Sequence, residues 1–113
     1  MDLISRLLGI GITTIAPDEA HQRLKKKPRP VLIDVRQPSE FREGHVPGAR
    51  SVPLSQLKSR MGDLPRNQEI FVICASGHRS ILASRQLKSA GYQVVNIDGG
   101  TAAWSRAKLP LTQ

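Results

Sequence analysis

The stretch of sequence that decides the fold runs from Glu69 to Ser89 and reads EIFVICASGHRSILASRQLKS. Its first five residues form an apolar run rich in β-branched side chains, which predicts a buried strand. Its last part, from Ile81 onward, carries a 3.6-residue period that predicts a helix with Leu82 and Leu87 facing a core. The whole stretch is therefore predicted to be a strand that feeds a helix through a short loop.

This loop begins at Cys74, the only cysteine of the chain, and ends at Arg79. Such a loop directs several backbone N–H groups and the positive end of the helix dipole to one point, over which its first residue is held. These groups favour the thiolate over the thiol. Gly77 permits the tight curl, because glycine adopts positive φ at little cost. The loop therefore predicts a nucleophile.

A lone cysteine of an intracellular domain is more often a small buried hydrophobe than a nucleophile. Cys74 differs from that common case because it ends its strand, where parallel sheets meet ligands. The residues after it are small, permissive or cationic, and they offer nothing to a core. They are Ala75, Ser76, Gly77, His78 and Arg79. Both features favour the nucleophile.

Length and composition bound the class of protein. A chain of 113 residues predicts one domain, and no apolar run approaches the ~20 residues of a membrane span. The single cysteine excludes an internal disulfide framework and suits a reducing compartment, so we expect a cytoplasmic protein. No cluster of histidine and cysteine has zinc-ligand spacing, and neither a metal nor another cofactor is expected.

The formal net charge of +8 would suit nucleic acid or acidic partners. Much of this charge lies between Arg23 and Arg29, at a predicted helix C-terminus where cations complement the helix dipole. With one tryptophan, one tyrosine and two phenylalanines, the chain has few rings to stack on bases. We therefore interpret the cations as a solvated helix end and expect no nucleic-acid partner.

The N-terminal residues 1–11 allow two interpretations. Leu3, Ile4, Leu7 and Leu8 could form one face of a short helix, whereas residues 7–16 are apolar enough for the hydrophobic region of a signal peptide. An acidic second residue argues against the signal peptide, and cleavage would remove a predicted first strand. We expect an uncleaved lead-in at residues 1–11 and one domain over residues 12–113.

Predicted strands and helices alternate along the rest of the chain. The strands are residues 12–15, 31–33, 51–52, 69–73 and 93–97. The helices begin near residues 16, 38, 55, 81 and 101, with Ser55 as the N-cap of the third, which runs to Arg60. This alternation predicts an α/β fold with a mostly parallel sheet of about five strands and helices on both faces.

Polar residues follow two of the predicted apolar strands. Asp34 and Arg36 come directly after the strand at residues 31–33, and Cys74 follows the strand at residues 69–73. Because ligand sites of such sheets lie at the carboxyl ends of the strands, we expect these residues to share one edge.

Four motifs, in this order, resemble the rhodanese family of sulfurtransferases. They are DVR at residues 34–36 with Glu40 and Phe41, GHVPGA at residues 44–49, CASGHRS at residues 74–80, and DGG at residues 98–100 before Ala103 and Trp104. The resemblance covers residues 12–110 and is that of a stand-alone, single-domain rhodanese. Gln37 stands where many members have glutamate, a surface change that does not bear on the chemistry.

The resemblance implies a persulfide cycle. The Cys74 thiolate attacks the outer sulfur of thiosulfate or a similar sulfane donor, and cyanide, a thiol or a protein then takes the sulfur from the persulfide. The resemblance assigns substrate binding to the loop and support to two residues of the DVR motif. The loop residues are Ala75, Ser76, Gly77, His78, Arg79 and Ser80, and the supporting residues are Asp34 and Arg36.

Other classes remain open at this point. Cysteine-dependent phosphatases, including relatives on this same fold, place five residues between cysteine and arginine, whereas four separate Cys74 from Arg79. The smaller loop favours one extra sulfur atom over a phosphoryl group. Rhodanese-like domains also serve as non-catalytic binding modules, typically where the cysteine is replaced, and a protein acceptor would make the domain a sulfur relay.

The side chains around the loop have predicted roles of their own. Arg79 is predicted to hold an anionic donor, to tie the loop to an acid such as Asp34, or to do both. Ser76 is predicted either to hydrogen-bond the persulfide or to brace the loop, and His78 to point outward. The remaining polar or aromatic motif residues are expected to be structural. They are Asp34, Arg36, Glu40, His45 and Trp104.

Overall fold

The computed structural model describes residues 11–113, so the predictions for residues 1–10 lie outside the described part of the chain. Its strands are β1 (Thr13–Ile15), β2 (Val31–Asp34), β3 (Arg50–Ser51), β4 (Glu69–Ile73) and β5 (Gln93–Ile97). They form one sheet in the order β1–β5–β4–β2–β3, and every neighbouring pair is parallel. The predicted α/β fold is confirmed, with a sheet that is wholly rather than mostly parallel.

The described residues contain five α-helices, of which the first four connect successive strands and the fifth follows β5. They are α1 (Pro17–Leu24), α2 (Pro38–Glu43), α3 (Leu57–Arg60), α4 (His78–Ser89) and α5 (Gly100–Arg106). The prediction of Ser55 as the N-cap of α3 is wrong. The chain after Pro53 forms a 3-10 turn that contains Ser55, so α3 begins later and its N-cap is Gln56.

The sheet separates two hydrophobic cores, with helices on both faces as predicted. Alternate side chains of β2 and β4 point to opposite faces, as the two-residue period of a strand requires. One core contains Val31, Ile33, Ile70 and Val72 with Leu57 of α3 and Leu87 of α4. The other contains Leu32, Phe71 and Ile73 with Ala20 and Leu24 of α1 and Trp104 of α5.

Helix α4 begins at His78, earlier than predicted, and buries a different face. Leu87 lies in the core as predicted, but Leu82 is 49% exposed, so the prediction that Leu82 faces a core is wrong. The reason is geometric, because two residues five apart in an α-helix lie about 140° apart around its axis. Ala83 and Ser84 share the buried face with Leu87 instead.

The carboxyl ends of β2 and β4 meet at one edge of the sheet. Asp34 pairs in register with Ile73, and the N–H of Val35 donates to the carbonyl of Ile73 at 3.0 Å. This register brings the residues after β2 beside Cys74, as expected from the sequence. Within residues 11–113, no helix has the length and apolar character needed to cross a membrane.

Candidate active site

Cys74 directly follows β4 and is a free cysteine with 1% of its surface exposed. Its Sγ accepts a hydrogen bond from the backbone N–H of Gly77 at 3.0 Å. The thiol donates in turn to Oγ of Ser80 at 3.3 Å, and that hydroxyl donates to the carbonyl of Gly77 at 3.2 Å. The sulfur atom is therefore held by the loop that it begins.

The loop ends at Gly77, and α4 begins at the next residue. Gly77 is the N-cap of this 12-residue helix and has φ of +107°, which side-chain-bearing residues rarely adopt. In the described residues, the N–H groups of Ala75, Ser76 and His78 meet no backbone acceptor. These donors and the helix N-terminus create a positive electrostatic environment at the mouth of the loop.

The floor of the loop is the start of α5. The N–H of Thr101 donates to the carbonyl of Cys74 at 2.7 Å, and the N–H of Ala102 donates to the carbonyl of Ala75 at 3.0 Å. A Cβ on Gly100 would lie 2.3 Å from the carbonyl oxygen of Cys74, so this close approach requires glycine. The DGG motif belongs to the family resemblance, but the resemblance assigns it no such role. A double glycine between an apolar strand and a helix was the available signal.

Asp34 and Arg36 form a buried ion pair beside the loop. The guanidinium contacts both carboxylate oxygens, with Nη2 to Oδ2 at 2.8 Å and Nε to Oδ1 at 3.0 Å. Asp34 is 0% exposed and Arg36 is 6% exposed. Nη2 of Arg36 also donates to the carbonyl of Gly44 at 2.7 Å, which ties the end of β2 to the chain after α2. These contacts give the pair a bracing role.

Arg79 pairs with Glu40 of α2 rather than with Asp34. Its Nη1 and Nη2 donate to the two carboxylate oxygens of Glu40 at 2.7 and 2.9 Å. The predicted tie to an acid is therefore confirmed, but the acid is not Asp34, because Arg36 already occupies both oxygens of that carboxylate. The hydrogen bonds from Arg79 lower the pKa of Glu40 to about 2, and those to Glu40 raise the pKa of Arg79.

The loop side chains that face solvent are Ser76 and His78, whose Oγ and Nδ1 atoms lie 3.4 Å apart. His78 points outward as predicted. It is Ser80, not Ser76, whose hydroxyl contacts Sγ of Cys74 in the thiol form. Ser80 is among the loop residues expected to bind substrate, but the sequence does not indicate this contact with the thiol.

Two aromatic contacts away from the thiol are structural, as predicted. His45 stacks on Phe41 with ring centroids 3.7 Å apart, and its Nδ1 lies 2.8 Å from the Phe41 carbonyl oxygen. Trp104 is fully buried in one of the two cores, and its indole N–H donates to the carbonyl of Pro110 at 2.8 Å.

Comparison with known proteins agrees with this fold. The rhodanese-like domain matches residues 16–107, and the chain therefore belongs to the rhodanese-like family. It is 34% identical over 101 residues to a sulfurtransferase of Allochromatium vinosum, covering 88% of this chain and 94% of that protein. Several other curated relatives are longer, and this chain spans 22 to 59% of four of them.

Solved structures with the same fold include family members of very different size. A rhodanese-related protein of Thermoplasma volcanium superposes with a TM-score of 0.83 at 28% identity, over 88% of this chain and 97% of that one. A thiosulfate sulfurtransferase of Pseudomonas aeruginosa gives a TM-score of 0.82 at 28% identity, over 98% of this chain and 22% of that one. The chain is thus a rhodanese-like sulfurtransferase by homology.

Proposed function

We propose that this protein transfers a sulfane sulfur as a persulfide on Cys74, with thiosulfate or a similar compound as donor. The acceptor is a thiophilic nucleophile such as cyanide, a small thiol or a protein thiol. The observation that carries the proposal is the position of Sγ, which accepts the Gly77 N–H at the N-terminus of α4. A thiolate and a terminal persulfide sulfur are both stabilised by such donors.

The first half-reaction loads the sulfur. The Cys74 thiolate attacks the outer sulfur of thiosulfate, a new S–S bond forms at Sγ, and the bond between the two sulfurs of the donor breaks. Sulfite leaves with the electron pair of that bond. The N–H groups of Ala75, Ser76 and His78, which meet no backbone acceptor in the described residues, are available to hydrogen-bond the second sulfur atom, and α4 adds the positive end of its dipole.

The second half-reaction transfers the outer sulfur of the persulfide to the acceptor. The acceptor attacks the outer sulfur of the persulfide, and the Cys74 thiolate leaves with the electron pair. Cyanide becomes thiocyanate, and a thiolate becomes a persulfide. Because the donor product leaves before the acceptor reacts, ping-pong kinetics with parallel initial-rate lines are expected.

The dimensions of the loop favour sulfur transfer over phosphoryl transfer. Four residues separate Cys74 from Arg79. The loop already closes on Sγ through Gly77, and both terminal nitrogens of Arg79 are bound to Glu40. A tetrahedral phosphoryl group would need a wider ring and an arginine directed into it.

Intact-mass spectrometry of the pure protein tests the proposal. The protein is incubated with thiosulfate, and with methanethiosulfonate in a parallel sample, and Cys74→Ser is treated in the same way. We expect a gain of one sulfur atom in the parent, its loss on addition of cyanide with thiocyanate formed, and no gain in the variant. Because the chain has one cysteine, a gain that this variant abolishes is assigned to Cys74.

The outcome separates the proposal from its rivals. No gain with any sulfane donor would overturn the persulfide cycle and would leave a non-catalytic binding module. A stable persulfide that cyanide discharges and that a protein thiol discharges faster would support a protein acceptor, and with it a sulfur relay.

A further inference from the structure

A group of four cations lies at the edge of the sheet opposite Cys74. Lys25, Lys26, Lys27 and Arg29 lie between α1 and the amino end of β2, whereas the loop lies at the carboxyl ends of the strands. The six residues that follow each strand in the described chain form that second edge. Their arginines are Arg36 and Arg79, and their carboxylates are Asp18, Glu19, Glu40 and Asp98.

The two arginines that follow β2 and β4 are both already matched by a carboxylate. Arg36 is buried against Asp34 and directs Nη2 to the Gly44 carbonyl as well. Arg79, beside the thiol loop, gives one N–H of each terminal nitrogen to Glu40. Glu40 stays ionised at neutral pH because its pKa is about 2. Each ion pair is therefore formally neutral toward an approaching donor.

Binding of the thiosulfate dianion beside the Glu40–Arg79 pair has an electrostatic cost. It either draws Arg79 away from Glu40, which leaves that carboxylate unpaired beside the anion, or it binds next to a cation whose charge is already cancelled. A donor with one negative charge, or none at the sulfane group, meets about half of this cost or less, because the Coulomb energy scales with the charge.

We infer that Glu40 is a specificity-determining residue: by holding the Arg79 guanidinium, it selects sulfane donors of low negative charge over the thiosulfate dianion. The chemical class is an organic thiosulfonate or an organic persulfide. This inference rests on the proposed persulfide cycle and names the donor class for that same site.

Both donor classes complete the loading step without a further reactant. With a thiosulfonate, the Cys74 thiolate attacks the terminal sulfur, the bond from that sulfur to the sulfonyl sulfur breaks, and a sulfinate leaves with the electron pair. With an organic persulfide, the thiolate attacks the terminal sulfur, the S–S bond of the donor breaks, and a thiolate leaves. The proton of the donor S–H remains on the new persulfide.

Thiosulfate and methanethiosulfonate form a matched pair of probes. Each loses its terminal sulfur from a sulfonyl sulfur, but the first carries two negative charges and the second carries one. The second-order rate constant for persulfide formation on Cys74 is measured with each donor, for the parent protein and for Glu40→Gln. Time-resolved intact mass gives both rate constants directly.

We expect the parent to prefer the monoanion. Glu40→Gln releases the Arg79 charge, so the rate constant for thiosulfate should rise on the order of tenfold and that for methanethiosulfonate less than threefold. Added salt should reduce the gain for thiosulfate, since the released charge at this half-exposed position is screened. Glutamine keeps an amide oxygen to accept the N–H of Gln37, which Glu40 accepts at 2.9 Å in the parent.

Glu43→Gln is the control, because it removes the same charge from the exposed end of the same helix. It should change the ratio of the two rate constants less than twofold. An equal change in both Glu40→Gln and Glu43→Gln would overturn the inference in favour of a general field effect. Equal slowing of both donors by Glu40→Gln would overturn it too, because Glu40 would then only brace Arg79.

Failure of this inference is distinguishable from failure of the proposed function. If the parent forms the persulfide and the donor ratio is unchanged in Glu40→Gln, the selection by Glu40 is wrong and the persulfide cycle stands. If the parent forms no persulfide with either donor, the cycle itself is wrong, and the inference falls with it. Matching urea transitions of parent and variant establish that both are folded.

Discussion

Two arginine–carboxylate pairs lie at the same edge of the sheet and differ mainly in exposure. Asp34 and Arg36 are almost fully buried and contact each other through both carboxylate oxygens. Glu40 and Arg79 make an equally well-formed contact, but their side chains are 32% and 33% exposed. The two pairs have similar geometry but different exposure, and we therefore expect them to have different roles.

The difference in burial explains why the two ion pairs have different roles. A charge that is 0 to 6% exposed cannot be left without its partner, so the first pair fixes where the chain goes after β2. A half-exposed pair can be opened by solvent or by an anion at small cost, so the second pair can respond to a ligand. The first pair should therefore govern stability and the second the choice of donor.

Breaking the buried pair should have the largest effect. Asp34→Asn leaves the Arg36 guanidinium buried beside a neutral amide, and we expect it to lower the free energy of unfolding by about 3–5 kcal/mol. Urea denaturation measures this loss. Asp98→Asn, which changes an exposed carboxylate at the same edge, should stay within about 0.5 kcal/mol of the parent. A loss below about 1 kcal/mol in Asp34→Asn would contradict the bracing role.

A substitution at Gly100, where α5 contacts the loop, should have the next largest effect on stability. Gly100→Ala places a Cβ 2.3 Å from the Cys74 carbonyl oxygen at a residue with φ of +62°, so we expect a loss of at least about 2 kcal/mol and slower persulfide formation. Gly62→Ala is the matched control, since nothing lies within 4 Å of its new methyl group. Equal stabilities of the two variants in urea would show that the loop can shift without cost.

Removing the buried hydroxyl beside the thiol should have an effect of intermediate size, measured as a rate. In the thiol form the Ser80 hydroxyl accepts from Sγ at 3.3 Å and donates to the Gly77 carbonyl at 3.2 Å. When the thiol ionises, this hydroxyl can turn and donate to the charged sulfur, a hydrogen bond worth about tenfold in the rate of persulfide formation, which Ser80→Ala removes. Ser84→Ala is the control one turn further along α4, because the buried Oγ of Ser84 has no partner in the described chain. Equal rates in both variants would assign Ser80 to the loop alone.

Breaking the half-exposed pair should change stability least. Glu40→Gln should cost less than about 1 kcal/mol at pH 7, because solvent screens the pair. The folded-state pKa of Glu40 is lowered from 4.5 to about 2, so the stabilisation is present above about pH 4.5 and is lost as the pH falls toward 2. Comparing unfolding free energies of parent and variant across this range measures it. In an Arg79→Gln background, Glu40→Gln should no longer change the pH dependence of the unfolding free energy. A change that persists in that background would show that Glu40 has another partner.

The features that sequence reasoning predicted correctly depend on short stretches of chain. The apolar run before Cys74, the small loop and the strand-to-helix alternation each lie within a few residues, and they place Asp34, Arg36 and Cys74 at one edge. The errors have equally definite causes. Leu82 shares an apolar character with Leu87 but lies on another side of α4, and Ser55 is a good capping residue that falls inside a 3-10 turn.

What the sequence determined by itself is the fold class and the position of the cysteine loop between a strand and a helix. Hydrophobic periodicity and the positions of glycines determine local structure through neighbouring residues, so strands, helices and turns can be predicted from the sequence. Only the tertiary structure decided which acid holds Arg79 and what lies beneath Cys74. Glu40 and Gly100 lie 39 residues before Arg79 and 26 residues after Cys74, and they reach the loop because the fold places α2 and the start of α5 beside it. Which partners meet at such separations depends on the assembled fold, and charge or spacing in the sequence does not fix it.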